Sequence, residues 1–134
     1  MSTVVIRKTL ESALAAMPGV LRTALPNAQF DPVVGQPHQE VHILPAETLN
    51  ETIGGTFKRE MGIFRVTLCY PLKKGTADAD AMADKLLAHF KRATTYMAGP
   101  IRVFVFKHPF VGIGRPDDDR WRLPVSIPYL ADVP

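Results

Sequence analysis

The apolar residues of the first stretch of the chain recur three or four positions apart, which is the spacing of one face of an α-helix. These residues are Ile6, Leu10, Ala13, Leu14 and Met17. Ser2 or Thr3 is suited to cap the helix, and Pro18-Gly19 interrupts it. The pattern predicts an amphipathic helix over residues 2–17.

A second helical pattern covers residues 76–91. Asp78 and Asp80 fall in its first turn. Lys91 and Arg92 fall at its end, so the charges complement the helix dipole at both ends. The apolar positions are Ala79, Met82, Ala83, Leu86, Leu87 and Phe90. We therefore expect two principal helices.

Four further stretches have the alternation or the apolar run of a β-strand. They are residues 40–44, 57–70, 101–107 and 121–130. The stretch 101–107 is apolar on both faces, which is typical of a strand inside a sheet. In the stretch 57–70, Gly62 is interpreted as a β-bulge, after which the inward-facing side chains switch between odd and even positions.

Two prolines in the last stretch constrain its place in the sheet. Pro124 and Pro128 have the same parity, so their missing amide donors face the same side. We therefore expect an edge strand, or a strand that pairs only through its odd residues. The order helix, strand, strand, helix, strand, strand indicates an α+β fold. It predicts a mainly antiparallel mixed sheet of about four or more strands, flanked by the two helices.

Two connections are rich in proline and glycine. Residues 18–37 form an irregular connection of about 20 residues, a length that is uncommon in compact domains unless the segment is functional. A binding loop explains this length, and so does a short strand that the pattern does not reveal. Residues 108–118 predict a Pro/Gly/Asp loop.

The composition bounds the class of protein. A chain of 134 residues with 46% hydrophobic and 22% charged residues fits one globular domain over 1–134. The net charge of +3 is spread along the chain, so it does not indicate nucleic-acid binding. The single cysteine, Cys69, excludes an internal disulfide and suits a reducing compartment such as the cytosol. Neither a membrane-spanning run nor an export signal is recognised.

The candidate metal ligands have plainer structural interpretations. His38 and His42 are four residues apart, but four residues of extended chain span about 13 Å, which is too far for one ion. Both are interpreted as surface or packing histidines. Asp117-Asp118-Asp119 lacks the spacing of a calcium loop and is flanked by arginines, so we expect a solvated turn.

The sequence favours a non-enzymatic protein that makes contacts, without a cofactor or a metal. Gly112-Ile113-Gly114 lacks the third glycine and the helix of a dinucleotide site. Cys69 has no partners in a Cys-His-Asn order, so we expect a buried or half-buried thiol. The basic residues between 58 and 74 are interrupted by Glu60 and lack the exposed stacking rings of a nucleic-acid site.

Five segments of the chain, taken in order, carry a resemblance to a known family. They are Pro26–Pro32, Val41–Glu47, Arg59–Phe64 with its continuation to Tyr70-Pro71, Gly75–Phe90 and Val125–Tyr129. Together they resemble the tail terminator proteins of long-tailed bacteriophages, the minor tail protein U-like family that includes related prophage proteins. No single segment is diagnostic, and the ordered set covers almost the whole chain.

The resemblance implies an α+β subunit that assembles with copies of itself into a ring, typically a hexamer, at the head-proximal end of the tail. It implies that the ring caps the tail tube protein, stops tube polymerisation and offers a surface to the head-tail completion protein. DNA would pass through the channel without sequence-specific binding. The implied location is the virion tail, assembled in the bacterial host cytoplasm, without a membrane.

We assign subunit or tail-tube contacts to the polar segments between strands, namely 46–56, 108–120 and the Lys73-Lys74 turn. The assigned residues are Thr48, Asn50, Glu51, Lys73, Lys74, Arg115, Asp117, Asp118, Asp119 and Arg120. Two alternatives stay open. One is a head-tail completion or neck protein of similar fold. The other is a small ligand-binding or enzymatic α+β domain with a polar cluster in a cleft above the sheet.

Overall fold

A computed structural model describes residues 2–46 and 58–134 of the chain. These residues form two α-helices and eight β-strands. The helices are α1 (Ser2–Ala15) and α2 (Ala77–His89). The strands are β1 (Arg22–Ala24), β2 (His38–Pro45), β3 (Lys58–Pro71), β4 (Thr95–Ala98), β5 (Ile101–Val105), β6 (Phe110–Val111), β7 (Arg115–Asp117) and β8 (Arg120–Val133). Neither helix is long and apolar enough to cross a membrane.

The eight strands form one mixed sheet with the order β1-β2-β3-β8-β5-β4, and β6 and β7 also pair with β8. The pair β1–β2 is parallel and the other described pairs are antiparallel. The prediction of an α+β fold with a mainly antiparallel mixed sheet of four or more strands is therefore confirmed. The prediction that β5 lies inside the sheet is also confirmed, because β5 pairs with both β4 and β8.

The two longest strands, β3 and β8, pair over their full length, from Lys58 opposite Val133 to Pro71 opposite Arg120. The register is continuous through Gly62, so the predicted bulge at this residue is wrong. A Cβ atom at Gly62 would lie 2.6 Å from the Tyr129 hydroxyl oxygen and 2.8 Å from the Leu44 carbonyl oxygen. The glycine therefore serves the close approach of its neighbours in the sheet.

The prediction that the last strand is an edge strand is wrong. One side of β8 pairs with β3, and the other side pairs in turn with β7, β6 and β5. On this second side Pro124 and Pro128 fall in the gaps between the short strands. The Pro124 carbonyl accepts a hydrogen bond from the Gly112 amide at 2.8 Å, so it points to the side of β6 and β7. The nitrogen and the carbonyl of one strand residue point to the same side, so the missing N–H of Pro124 also lies on this second side of β8. The prolines thus interrupt a ladder rather than end a sheet.

The sequence pattern did not predict four short strands. β1 lies inside the connection 18–37, so the short-strand explanation of its length is confirmed. β6 and β7 lie inside the predicted loop 108–118, and β4 precedes the turn before β5. Each has four residues or fewer, which is too short for an alternation to be recognised.

Both helices pack on the same face of the sheet, which we call the helix face. α1 contacts β4 and β5, and α2 contacts β3 and β8. The two predicted helices are confirmed, with ends that agree within two residues. The core consists of Ile6, Leu10, Leu14, Met17, Val41, Phe64, Val66, Leu68, Ala79, Met82, Ala83, Leu86, Phe90, Ile101, Val103, Val105, Leu123, Val125, Ile127, Tyr129 and Ala131.

Candidate functional site

The polar residues of the central strands gather on the face opposite the helices, which we call the outer face. Residues that stand opposite one another in an antiparallel pair point to the same face. The register therefore builds three polar rows across β2, β3 and β8. They are His38-Cys69-Arg122, Glu40-Thr67-Pro124 and His42-Arg65-Ser126.

Arg122 is the centre of a polar cluster at one end of the outer face. Its Nη1 atom lies 3.0 Å from Glu40 Oε1, and its Nε atom lies 3.1 Å from Asp117 Oδ2. Nη1 also lies 3.5 Å from the Cys69 sulfur. Burial lowers the pKa of Arg122, but its hydrogen bond to Glu40 and the nearby acidic groups raise it, and the net shift is upward. The guanidinium is therefore a permanent positive charge shared by two carboxylates.

His38, Glu40 and Cys69 have the spacing of a metal site but not its electrostatics. Their ligand atoms all lie within 4.8 Å of one another. A thiol must lose its proton to bind a metal, yet burial raises the pKa of Cys69 to about 11. The guanidinium of Arg122 contacts both the Glu40 carboxylate and the Cys69 sulfur, so a cation there would meet a fixed positive charge. The donor set therefore does not fit a metal ion.

The same residues do not supply a nucleophile. The Cys69 side chain is fully buried, which confirms the predicted buried thiol. Burial lowers the pKa of His38, and Arg120 adds to this shift, so the imidazole is neutral at neutral pH. A substrate has no route to a thiol with no exposed surface. The cluster stabilises the end of the sheet instead, with the His38 ring packed against Phe30 at 5.1 Å.

A polar groove of about 560 Å³ lies beside this cluster on the outer face. Arg65 and Arg115 line the groove, and neither forms a hydrogen bond or an ion pair with a described residue. Ile113 is 88% exposed at its rim. The other lining residues are Glu40, His42, Thr67, Asp117, Arg122 and Pro124. A concave surface with uncompensated arginines and an apolar rim is typical of a protein interface.

The structure brings several of the predicted contact residues to the same end of the sheet. Pro71 and Asp117 both stand opposite Arg120, so the turns that follow β3 and β7 are neighbours. These turns carry Lys73, Lys74, Asp118 and Asp119, which are exposed, as is Asp117. Arg115 lines the groove. Thr48, Asn50 and Glu51 lie outside the described residues, and the contact assignment stays a prediction.

Arg120 occupies a different environment from the other predicted contact residues. Its side chain is buried, with 5% of the residue exposed. Its Nη2 atom donates a hydrogen bond to the Val33 carbonyl at 2.8 Å, and its Nη1 atom donates one to the Gln36 carbonyl. The guanidinium thus holds the connection between β1 and β2 against the start of β8.

Sequence reasoning missed Glu40, His42, Arg65 and Arg122 as groove residues. The available signal was parity, since Arg65 and Thr67 alternate with the apolar residues of β3 and therefore belong to the outer face. Parity places a residue on a face. The register between strands, which brings Arg65 beside β7 and β8, is a tertiary property.

Comparison with known proteins gives a family and a fold. A family model described as phage tail terminator protein matches residues 5–129. A solved structure whose name states no function is 26% identical to this chain and superposes with a TM-score of 0.77. The similarity covers 98% of this chain and 96% of that chain. No protein of curated function matches.

Proposed function

The chain belongs to the phage tail terminator family, and we propose that it caps the tail tube of a long-tailed bacteriophage or prophage as a ring of identical subunits. The family match over residues 5–129 carries the proposal, because it includes most of α1, all of α2 and most of β8. The family indicates a structural role in the tail. The ring, as proposed, is a hexamer that stops tube polymerisation and forms the surface on which the head-tail completion protein docks.

The sheet edges support assembly into a closed ring. No described strand pairs with the outer edge of β1 or of β4. These strands have only three and four residues, so each edge is short enough to limit open-ended association. In a closed ring with a heterologous interface, every subunit makes the same two contacts with its neighbours. No subunit is then left with a free interface to which further copies could add.

The outer face supports a binding role rather than a catalytic one. Its concave surface carries Arg65 and Arg115, which have no ion-pair partner in the described part of the chain, and the thiol beside it is protonated and inaccessible. DNA would pass through the channel without sequence-specific binding. A net charge of +3 spread over 134 residues attracts phosphates only weakly. The proposed partners are therefore copies of the chain, the tail tube protein and the head-tail completion protein.

Light scattering on the purified chain tests the proposal, alone and mixed with its cognate tail tube protein over a range of concentrations. We expect either a discrete particle of six chain masses or a stable complex on the tube end, with tube growth arrested. The mixture is the decisive sample, because subunits whose interfaces form only on the tube end remain monomeric when the chain is alone. A chain that neither binds the tube nor arrests its growth would overturn the terminator role. Binding to purified heads without tube binding would instead favour a head-tail completion protein.

A further inference from the structure

We infer that each subunit of the ring docks the exposed face of α2 into the outer-face groove of its neighbour, an inference that rests on the proposed ring. The partner of the groove is therefore a second copy of this chain. Charge complementarity and the placement of the two surfaces on opposite sides of β3 and β8 carry the inference.

The groove has an excess of positive charge. Glu40 and Asp117 lie in it, but both carboxylates pair with Arg122. Arg65 and Arg115 are left without a partner among the described residues. The Nε atom of Arg65 is buried and makes no hydrogen bond, an arrangement that costs free energy unless an acceptor arrives. Arg65 as a whole is only half-buried, so an incoming carboxylate would pair with the charge of its guanidinium.

The exposed face of α2 supplies carboxylates. Asp78, Asp80 and Asp84 are exposed, and none of them forms an ion pair with a described residue. Asp80 and Asp84 are four residues apart and so lie on the same side of the helix. The helix carries only Lys85 and His89 as basic residues, so its first two turns have an excess of negative charge.

The acidic and basic surfaces lie back to back. α2 packs on the helix face of β3 and β8, while Arg65 lies on the outer face of β3 and Arg115 stands beside Arg122 of β8. Each subunit can therefore use one surface for the neighbour on one side and the other surface for the neighbour on the other. Such a head-to-tail interface closes when the rotation between subunits divides a full turn.

The rim of the groove adds apolar contact area. Ile113 lines the groove and Phe110 stands opposite Ser126 of the outer face, with 88% and 53% of their surface accessible. Apolar side chains around a charged contact exclude water and strengthen it. The groove of one subunit thus offers both the charge and the apolar surface that a helix carrying Asp80 and Asp84 needs for docking.

Charge reversal tests the inference on the intact chain. One variant combines Asp80→Lys with Asp84→Lys, a second carries Arg115→Glu, and a third combines all three changes. We expect each of the first two to raise the concentration for half-assembly by about tenfold or more, and the third to return within about threefold of the wild type. Lys8→Glu on the exposed side of α1 is the matched control and should assemble normally.

The outcomes separate this inference from the proposed function. Assembly and tube arrest that are unchanged in the first two variants would overturn the docking while leaving the terminator role intact. Rings that persist in Arg115→Glu but no longer bind the tube would assign the groove to the tube protein instead, and so also overturn it. A wild-type chain that forms no ring and caps no tube would overturn both. Thermal unfolding of the four variants tests whether each retains the fold.

Discussion

The guanidinium of Arg120 donates a hydrogen bond to the Val33 carbonyl at 2.8 Å, across 87 residues of chain. A second bond reaches the Gln36 carbonyl, so one buried side chain satisfies two backbone acceptors of the connection between β1 and β2. Hydrogen bonds from a charged donor are stronger than neutral ones, and a buried guanidinium such as that of Arg120 is costly to leave unpaired. The connection is therefore fixed by a residue at the start of β8.

Arg120→Met should lower the free energy of unfolding by about 2–4 kcal/mol, because it removes two charge-assisted hydrogen bonds to the connection between β1 and β2 while keeping most of the side-chain volume. Urea unfolding measures the loss, and hydrogen exchange at the amides of residues 33–36 should become faster. Arg92→Met is the matched control, because Arg92 is exposed and has no partner among the described residues. Equal unfolding free energies for the two variants would contradict the anchoring role of Arg120.

Gly62→Ala should be strongly destabilising, because the new Cβ would lie 2.6 Å from the Tyr129 hydroxyl oxygen and 2.8 Å from the Leu44 carbonyl oxygen. Backbone of the adjacent strand cannot move aside without disturbing the β2–β3 ladder. We expect a loss of about 2–4 kcal/mol in the free energy of unfolding, measured by urea denaturation.

Gly112→Ala provides the comparison for Gly62→Ala. Its Cβ would meet the Pro124 side chain at 2.9 Å, with the nearest backbone atom at 3.5 Å. A change of ring pucker relieves this contact, so the loss should be below about 1.5 kcal/mol. Addition of Tyr129→Phe to Gly62→Ala should not restore stability, because the contact with the Leu44 carbonyl remains. Full restoration of stability would show that the contact with the Tyr129 hydroxyl is the only reason why alanine does not fit at position 62.

The two helices and four of the strands could be predicted because their patterns are long. α2 shows its apolar stripe over three turns with matching terminal charges, and β3 alternates over several residues. β1, β4, β6 and β7 have two to four residues each, which is at most two periods of alternation. No local signal distinguishes such strands from loop.

The position of β8 and the groove depend on pairings that the sequence does not reveal. Pro124 and Pro128 correctly indicated that two amide donors are missing on one side of β8. An open edge has no need of these donors, and neither has a ladder of three short strands with gaps at the prolines. Arg65 and Arg115 are 50 residues apart in sequence and meet in the groove through the register of β3, β8 and β7. Parity predicted the face of Arg65 and left its neighbours undetermined.

Asp132→Asn should destabilise the protein at neutral pH and much less at low pH. The carboxylate lies 2.9 Å from Arg59 Nε and 2.8 Å from Arg102 Nη2. Burial raises the pKa of Asp132, but the hydrogen bonds from Arg59 and Arg102 lower it, and the net shift is downward from 3.8. The stabilisation is therefore complete above pH 3.8 and is lost as the pH falls through the lower folded-state value.

Urea unfolding at pH 7 and at pH 2.5 measures this dependence. We expect the variant to lose about 1–2 kcal/mol at pH 7, with a smaller difference at acid pH, because Arg102 is half exposed and solvent weakens its share. Asp31→Asn is the control, since Asp31 is exposed and has no partner among the described residues. A difference between wild type and Asp132→Asn that is the same at both pH values would exclude the ion pairs as its cause.

Cys69→Ala should make the protein less sensitive to alkaline pH. Burial raises the pKa of Cys69 from 9.0 to about 11, so between these values the folded state keeps a proton that the unfolded state has lost. The stability that this proton provides is present below pH 9 and is lost as the pH rises to 11, by about 2–3 kcal/mol in total. Burial also raises the pKa values of Tyr70, Tyr96 and Tyr129, so the wild type loses further stability above pH 10, and only the difference between proteins isolates the thiol.

The difference in unfolding free energy between Cys69→Ala and the wild type should therefore shift in favour of the variant as the pH rises from 8 to 11. At pH 8 the variant should be the less stable protein by about 1–2 kcal/mol, because alanine leaves a small void and removes the sulfur that Arg122 contacts. Ser126→Ala, a buried polar residue on the same face without a titratable group, should lose the same amount at both pH values. Urea unfolding under reducing conditions gives all three curves. Parallel curves for Cys69→Ala and Ser126→Ala would mean that the thiol of the folded protein titrates as freely as in the unfolded chain, and that solvent reaches it through the end of the sheet.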